Sequence, residues 1–373
     1  MLWLRRGLAI VNKSSAIQTA YAIYRAVIQS PLTACVQFSR YIAKLSMKST
    51  ANGSSESSSC FIQLNSTAWK IGGTVAYCLF IVVSLVANSL IVMIVYKTPN
   101  LRKPINYFIA NMALSDLLLP IFWIPLNLSY LHTNCSFLIG GHLGQAFCKL
   151  ALFIADVSID VSSQNLILIV VDRFGAVVFP LRSPLIRSKM MCLFFILATW
   201  IVAVAVSSPY LFANDLDESP EGTWCVTRWK KAFGESSSYG SFLVAKHILF
   251  ICIPVLFLVI LYPIIVIKLI TQAHPGEQSA NTQKQRNRRN RNVIQMSITI
   301  VTVFVLCWLL YSINFFIIWY QDGFTHFSCS FWIYNAVTIY MINAYCAINP
   351  VICFIFSSNY RKALKRLITC SFV

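Results

Sequence analysis

The chain has 373 residues, of which 57% are hydrophobic and only 11% charged, and its mean hydropathy is +0.68. Water-soluble domains keep about a quarter of their residues charged, so this composition suits a lipid solvent. Thirty bases against twelve acids give a formal charge of +18, which fits a nucleic-acid or a membrane surface, while thirteen scattered cysteines without metal-site spacing exclude a disulfide mini-domain and a zinc site.

In chain order, residues 1–46 contain no acid, and Arg5, Arg6, Arg25 and Arg40 stand among apolar residues. That is the composition of a transit peptide; the other reading is an extension upstream of a start at Met47. From Met47 the segment is rich in Ser and Asn, as a flexible tail is. Seven apolar runs follow, at Ile71–Tyr96, Ile105–Leu128, Phe147–Val171, Met190–Phe212, Phe242–Ile270, Val293–Tyr320 and Cys329–Phe356. Each supplies the roughly 20 apolar residues a helix needs to cross a bilayer. The expected fold is an all-α membrane bundle of seven helices over residues 71–356, with a tail at 1–70 and a short amphipathic eighth helix in 357–373.

The bases orient the bundle. With the N-terminus outside, the inner segments hold seventeen Lys and Arg, and the outer side from residue 47 holds seven, Lys246 among them. This satisfies the positive-inside rule and draws the excess charge into a membrane topology, which removes nucleic acid as a partner. The run Lys284–Arg291 then faces anionic lipid. Sequons at Asn12, Asn52, Asn65, Asn127 and Asn134 all fall on segments assigned outside or at the outer membrane edge. Asn52, Asn65 and Asn134 are the candidate glycosylation sites.

The motifs inside the runs resemble those of the rhodopsin-like G-protein-coupled receptors, and within them the neuropeptide receptors, over about residues 65–370. Asn88 follows Ala87 where the family has Gly-Asn, and Asn111-Met112-Ala113-Leu114-Ser115-Asp116 is similar to the second-span segment. The third run opens with Cys148 and ends in Asp172-Arg173-Phe174, which continues as Gly175-Ala176-Val177-Val178-Phe179-Pro180-Leu181. Trp200, the Pro254 and Tyr262 pair, Phe304 with Trp308, and Asn349-Pro350 complete the set. Besides Ala87, and Phe174 in place of the more usual tyrosine, two switch positions depart from the pattern: Leu310 stands where the family has proline, and Cys353 where it has tyrosine.

The resemblance implies the following. Arg173 engages a heterotrimeric G protein, and Asp172 holds it when inactive. Tyr262, Phe304, Trp308, Asn349 and Pro350 belong to the switch. Asp116, with Ser162 and Ser158, binds a sodium ion as an allosteric ligand; the other reading is a structural acid held by Asn88 and Asn349. Cys148 pairs with Cys225. No other cofactor is implied, and arrestin and a receptor kinase are further partners. The missing proline implies a less bent sixth helix, and the two altered switch positions bear on signalling rather than on the fold. Past the seventh run, Tyr360, Leu364 and Leu367 form an apolar face opposite Arg361, Lys362, Lys365 and Arg366, so this segment lies on the inner membrane surface. Cys370 is a palmitoylation site or a free thiol.

For the ligand, Ala155 stands where amine receptors carry Asp, and Asn343 where opsins carry lysine. Asp156 and Asp160 share one helix face and repel each other unless a cation arrives. One reading is that Asp156 anchors an Arg or Lys of a basic, amidated neuropeptide ending in Arg-aromatic, with Asp160 deeper. The other is that Asp160 bonds Ser or Trp neighbours and Asp156 faces a neighbouring helix. Tyr311, Phe315 and Trp319 form an aromatic wall of the pocket or pack between helices. Asp215, Asp217, Glu218 and Glu221 form an acidic rim that steers a basic ligand, or a solvated loop. Cys60 and Cys329 are a further candidate pair. The expectation is a plasma-membrane receptor that signals through G protein; the alternative is a peptide-binding or scavenging receptor with weak coupling. No catalytic constellation and no inverted repeat point to an enzyme or transporter.

Overall fold

Seven helices long and apolar enough to cross a bilayer follow one another in the computed structural model, which describes residues 67–133, 137–179, 186, 188–219, 222–271, 280–320 and 329–369. They are α1 (Thr67–Lys97), α2 (Pro104–Thr133), α3 (Gly141–Val178), α4 (Lys189–Ala213), α5 (Tyr239–Lys268), α6 (Ala280–Tyr320) and α7 (Cys329–Phe356). A shorter helix, α8 (Ser358–Ile368), follows α7. Between α4 and α5 an antiparallel hairpin pairs β1 (Asn214–Ser219) with β2 (Gly222–Thr227). The sequons at Asn12, Asn52, Asn65 and Asn134, as well as Cys60 and Cys370, lie outside the described residues. Asn127 lies inside α2 and donates to the Trp123 carbonyl.

The bundle is apolar on its outside, and its largely apolar core also holds a set of buried polar side chains. On α1, Ile71, Val75, Leu79, Val82 and Val86 recur at helical spacing and are each more than half exposed, while Ser84 and Asn88 are fully buried on the opposite face. A lipid-facing surface likewise leaves Leu193, Phe194, Leu197 and Ile201 of α4 exposed. Asn111 sits at the junction of three helices: it accepts from Trp200 Nε1 at 2.9 Å and donates to Asn165 Oδ1 at 3.1 Å. On α8, Tyr360 and Ala363 are buried while Arg361, Lys362, Lys365 and Arg366 are exposed. The Tyr360 hydroxyl reaches Asn106 on α2 at 3.1 Å.

Proline explains much of this internal polarity. A proline in a helix has no N–H for the carbonyl four residues earlier, and hydrocarbon offers no water to that carbonyl. Pro254 frees the carbonyl of Phe250, and Ser163 of α3 donates to it at 2.5 Å. Pro350 frees that of Cys346, which accepts from Asn88 at 2.9 Å and Ser84 at 3.4 Å. Pro120 lies in a π-helical turn, Leu119–Trp123, and the preceding carbonyls of Ser115 and Asp116 accept from Ser158 at 2.7 Å and Ser84 at 3.4 Å. A second π-helical turn, Ile248–Cys252, precedes Pro254. Such turns shift the phase of the residues beyond them.

α6 runs unbroken through Leu310. Its outer half is tied to α7: Tyr334 donates to the Leu310 carbonyl at 2.6 Å, and Asn314 donates to Asn335 at 2.8 Å.

Ser163→Ala is expected to lower stability by roughly 1 kcal/mol, as an interhelical hydrogen bond in lipid does. The loss should shrink in a Pro254→Ala background, where residue 254 regains the N–H that Phe250 lacks. Unfolding of the four proteins of this cycle in detergent micelles measures the coupling.

Candidate functional site

The hairpin end of the bundle is built around α3. Cys148 is joined to Cys225 of β2 by a disulfide with Cα atoms 5.5 Å apart. Gln145 adds two polar ties to β1, accepting from the Leu216 N–H at 2.7 Å and donating to Asp215 at 3.0 Å. Glu218 accepts from the backbone N–H of Gly141 at 2.6 Å. Gly141 has φ of 63°, which a residue with a side chain rarely adopts. The hairpin is thereby fixed over the mouth of the helix bundle.

Two of the four acids expected to form a rim, Asp215 and Asp217, are paired with bases. Asp215 pairs with Lys231 at 2.9 Å, Asp217 pairs with Arg228 at 3.1 Å, and Glu235 pairs with Lys230. Burial alone would raise the Asp215 carboxyl, but Lys231, Gln145 and Arg228 outweigh it and hold the group below its usual range. Glu221 lies outside the described residues. The bases that pair with Asp215 and Asp217 are Lys231 of the helical turn Trp229–Phe233 and Arg228 just before it, so these two acids offer little long-range steering.

Below the hairpin a cavity of about 120 Å³ opens among α2, α3, α4, α5, α6 and α7. Its wall brings together Asp156, Asp160, Tyr311 and Phe315, all singled out in the sequence, and adds Tyr210, Lys246 and His247. The side chain of Trp319 lies outside the described residues. Trp308 lines the cavity; its ring centroid stands 5.9 Å from that of Phe304, which is buried beneath. His247 bonds Ser312 at 2.8 Å and stacks on Phe315 with ring centroids 4.5 Å apart.

The acids are not an uncompensated pair. Lys246 of α5 places its Nζ 2.6 Å from Asp156 and 3.2 Å from Asp160. Ser207 of α4 donates to Asp160 at 3.1 Å. Lys246 is buried two turns inside α5, so it leaves the tally of outer bases, which falls from seven to six. Burying a lysine this deep requires an anionic partner, and the two aspartates supply it. A lysine within the apolar run Phe242–Ile270 was the signal in the sequence; which helix faced it was not legible there.

Deeper in the bundle, Asp116 is buried and accepts from Ser162 on Oδ1 and Asn349 on Oδ2, each at 3.0 Å. Ser158 is spent on the Ser115 carbonyl rather than on this carboxylate. Asn88 likewise points to Cys346 and Ser84 and does not hold Asp116. Beside Asp116 lie two further buried oxygens, the Tyr345 hydroxyl, which interacts with Asn349 and Ser162, and Asn349 Oδ1. A carboxylate, a serine hydroxyl, a phenol and an amide oxygen form an all-oxygen donor set, which fits a hard cation.

At the opposite end of α3, Arg173 pairs with its neighbour Asp172 through Nε at 3.1 Å and through Nη2. Arg173 is about one-fifth exposed, and Asp172 is nearly buried. Tyr262, Phe304, Trp308 and Cys353 belong to one buried cluster between this end and the cavity. Asn349 and Pro350 lie within α7, Asn349 being the residue that reaches Asp116.

Residues 87–353 match the model of the seven-transmembrane receptors of the rhodopsin family. The chain belongs to this family. It is therefore a multi-pass membrane receptor and not an enzyme. It is 26% identical to the RYamide receptor of Drosophila melanogaster over 312 residues, 81% of this chain and 64% of that one. It is 25% identical to the substance-K receptor of Bos taurus over 309 residues, 80% of this chain and 76% of that one. It is 27% identical to the allatostatin-A receptor of Bombyx mori over 301 residues, 78% of this chain and 77% of that one. The receptor thus spans less than two thirds of the first relative and about three quarters of the other two.

The carboxyl of Asp215 is held low, so its contribution to the hairpin is present above the ordinary aspartate range near 3.8 and is lost as pH falls through the lowered folded value. Hydrogen exchange of the β1 and β2 amides, corrected for intrinsic rate, should show constant protection between about pH 5 and 8. Asp215→Asn should reduce that protection throughout this range.

Proposed function

We propose that the receptor binds a peptide in the hairpin-end cavity and passes the event to a heterotrimeric G protein at the Arg173 end. The observation that carries this reading is that α3 alone presents both ends. Asp156 stands on the cavity wall and Arg173 lies seventeen residues further on, about 25 Å away at 1.5 Å per residue. The relatives are receptors for RYamide, substance K and allatostatin A, which supports a peptide ligand. The RYamide match supports an amidated one with a basic residue near its end. Asp156 anchors that basic group, and Tyr311, Phe315 and Trp319 receive the aromatic residue. A ligand that binds the active arrangement more tightly shifts the equilibrium towards it. Trp308 and Phe304 sense the occupied cavity, and Arg173 leaves Asp172.

The same reading places the receptor in the plasma membrane with its N-terminus outside. With Lys246 withdrawn, the count of bases is seventeen inside against six outside, which supports that orientation. Asn52, Asn65 and Asn134 are then glycosylation sites, and Cys370 a palmitoylation site beside the lipid-facing α8. Arrestin and a receptor kinase are partners at the inner face. Asp116, Ser162, Asn349 and Tyr345 would hold a sodium ion that favours the inactive state. A second reading, peptide capture with weak coupling, is motivated by Leu310 and by the buried thiol of Cys353.

A peptide library applied to cells expressing the receptor, with nucleotide exchange on a promiscuous G protein as readout, tests the main reading. It should yield a basic amidated agonist, and Asp156→Asn should lower that agonist's potency about tenfold or more. Unchanged potency would remove the anchor. Binding without exchange, restored by Cys353→Tyr with Leu310→Pro, would establish the second reading.

Replacing sodium by N-methylglucamine should raise agonist affinity in the native receptor and have no effect in Asp116→Ala. Equal responses in the two proteins would dismiss the cation site.

A further inference from the structure

The charged side chains on the cavity wall, among the described residues, are Asp156, Asp160 and Lys246. With the carboxylates ionised and the lysine protonated, their sum is −1. The three are not equivalent. Lys246 Nζ has three N–H donors, and it has three acceptors: Asp156 at 2.6 Å, Asp160 at 3.2 Å and the Ser207 hydroxyl at 3.1 Å. The Tyr210 ring covers it with its centroid 5.2 Å away. Lys246 therefore has no donor left for a ligand. Asp160 is 2% exposed and Asp156 is 26% exposed, so the remaining negative charge is accessible at Asp156. In an apolar, membrane-embedded wall a lone charge is costly and calls for one partner.

We propose that Lys246 sets the charge selectivity of the ligand cavity. By cancelling one of two carboxylates, it makes the site take a ligand that brings a single positive group, a guanidinium or an ammonium, to Asp156. Without Lys246 the same wall would carry −2 and favour a dibasic ligand. Without the Asp160 charge it would be neutral and indifferent to ligand charge. Asp160 acts here as a positioning residue that holds Lys246 in place, and Asp156 is the group the ligand touches. This inference rests on the peptide reading and deepens it.

The test uses the full-length receptor in lipid nanodiscs and three synthetic probes: Gly-Gly-Arg-Tyr-amide, the same peptide with citrulline for arginine, and Gly-Arg-Arg-Tyr-amide. Citrulline keeps the shape of arginine and removes its charge. The native receptor should prefer arginine to citrulline by about tenfold or more and gain little from the second arginine. Asp160→Asn should reduce the arginine preference to within about threefold. Lys246→Met should make the second arginine worth about tenfold. The double variant, Asp160→Asn with Lys246→Met, returns the wall to −1 and should recover the native pattern. Because an unpaired buried charge can itself destabilise the bundle, the thermal unfolding midpoint of each variant is measured beside its affinities. An arginine preference that follows the wall charge in single variants that stay folded at the assay temperature supports the charge reading, and one that follows the unfolding midpoint instead overturns it.

A double variant that behaves like Asp160→Asn alone would overturn the proposal. So would equal binding of the arginine and citrulline peptides by the native receptor, or no saturable binding of the arginine peptide up to millimolar concentration. These failures are distinct from that of the peptide reading, which falls only when no peptide of the wider library produces exchange.

Discussion

Every backbone carbonyl inside a bilayer must find a donor within the protein, and prolines in four of the seven spans create carbonyls that their own helices cannot serve. The receptor serves the traced ones with short polar side chains from neighbouring helices. Ser163 reaches Phe250, Asn88 and Ser84 reach Cys346, and Ser158 and Ser84 reach the carbonyls before Pro120. These bonds cross from α1 to α2 and α7, and from α3 to α2 and α5. The residues that satisfy the backbone therefore also set the relative positions of the helices. The cavity, the Asp116 site and the Arg173 end are all carried by helices fixed in this way.

The charged interior follows a related logic at higher cost. A carboxylate or an ammonium inside the bundle is tolerable only when surrounded by partners. Asp116 has two donors, and the Asp156, Asp160 and Lys246 cluster draws on three different helices with Ser207. Such a cluster adds little net stability, because desolvation offsets much of the attraction. Its value lies in the arrangement of charge on a wall that is otherwise aromatic and aliphatic.

How much of this was legible in the sequence depended on whether the signal was local. The seven spans were legible because each is a continuous apolar run, and α8 because its bases and apolar residues separate at helical spacing. The spacing from Cys148 to Asp172-Arg173 places the two ends of α3 without any tertiary information. What crossed between helices was not legible. Ser158 lies one turn from Ser162, and spacing alone points both at Asp116, yet the demand set by Pro120 draws Ser158 to the backbone. Lys246 reads as an outer base until α4 and α5 pack against α3 and enclose it. Asp215 and Asp217 of the hairpin read as part of a rim until the segment after β2 brings Arg228 and Lys231 back over them.

The ties from Tyr334 to the Leu310 carbonyl and from Asn314 to Asn335 constrain how the sixth helix can travel. While both persist, the upper portions of α6 and α7 form one mechanical body, and neither can slide along the other. A swing of the lower part of α6 must then pivot beneath these two anchors, near the ring of Trp308, with no proline at residue 310 to soften the joint. The stroke at the inner end is set by the lever length below that fulcrum, and its stiffness by an intact helical backbone. At that level α6 is one continuous helix with no proline in it, so any bend there has to strain the intact hydrogen-bond ladder.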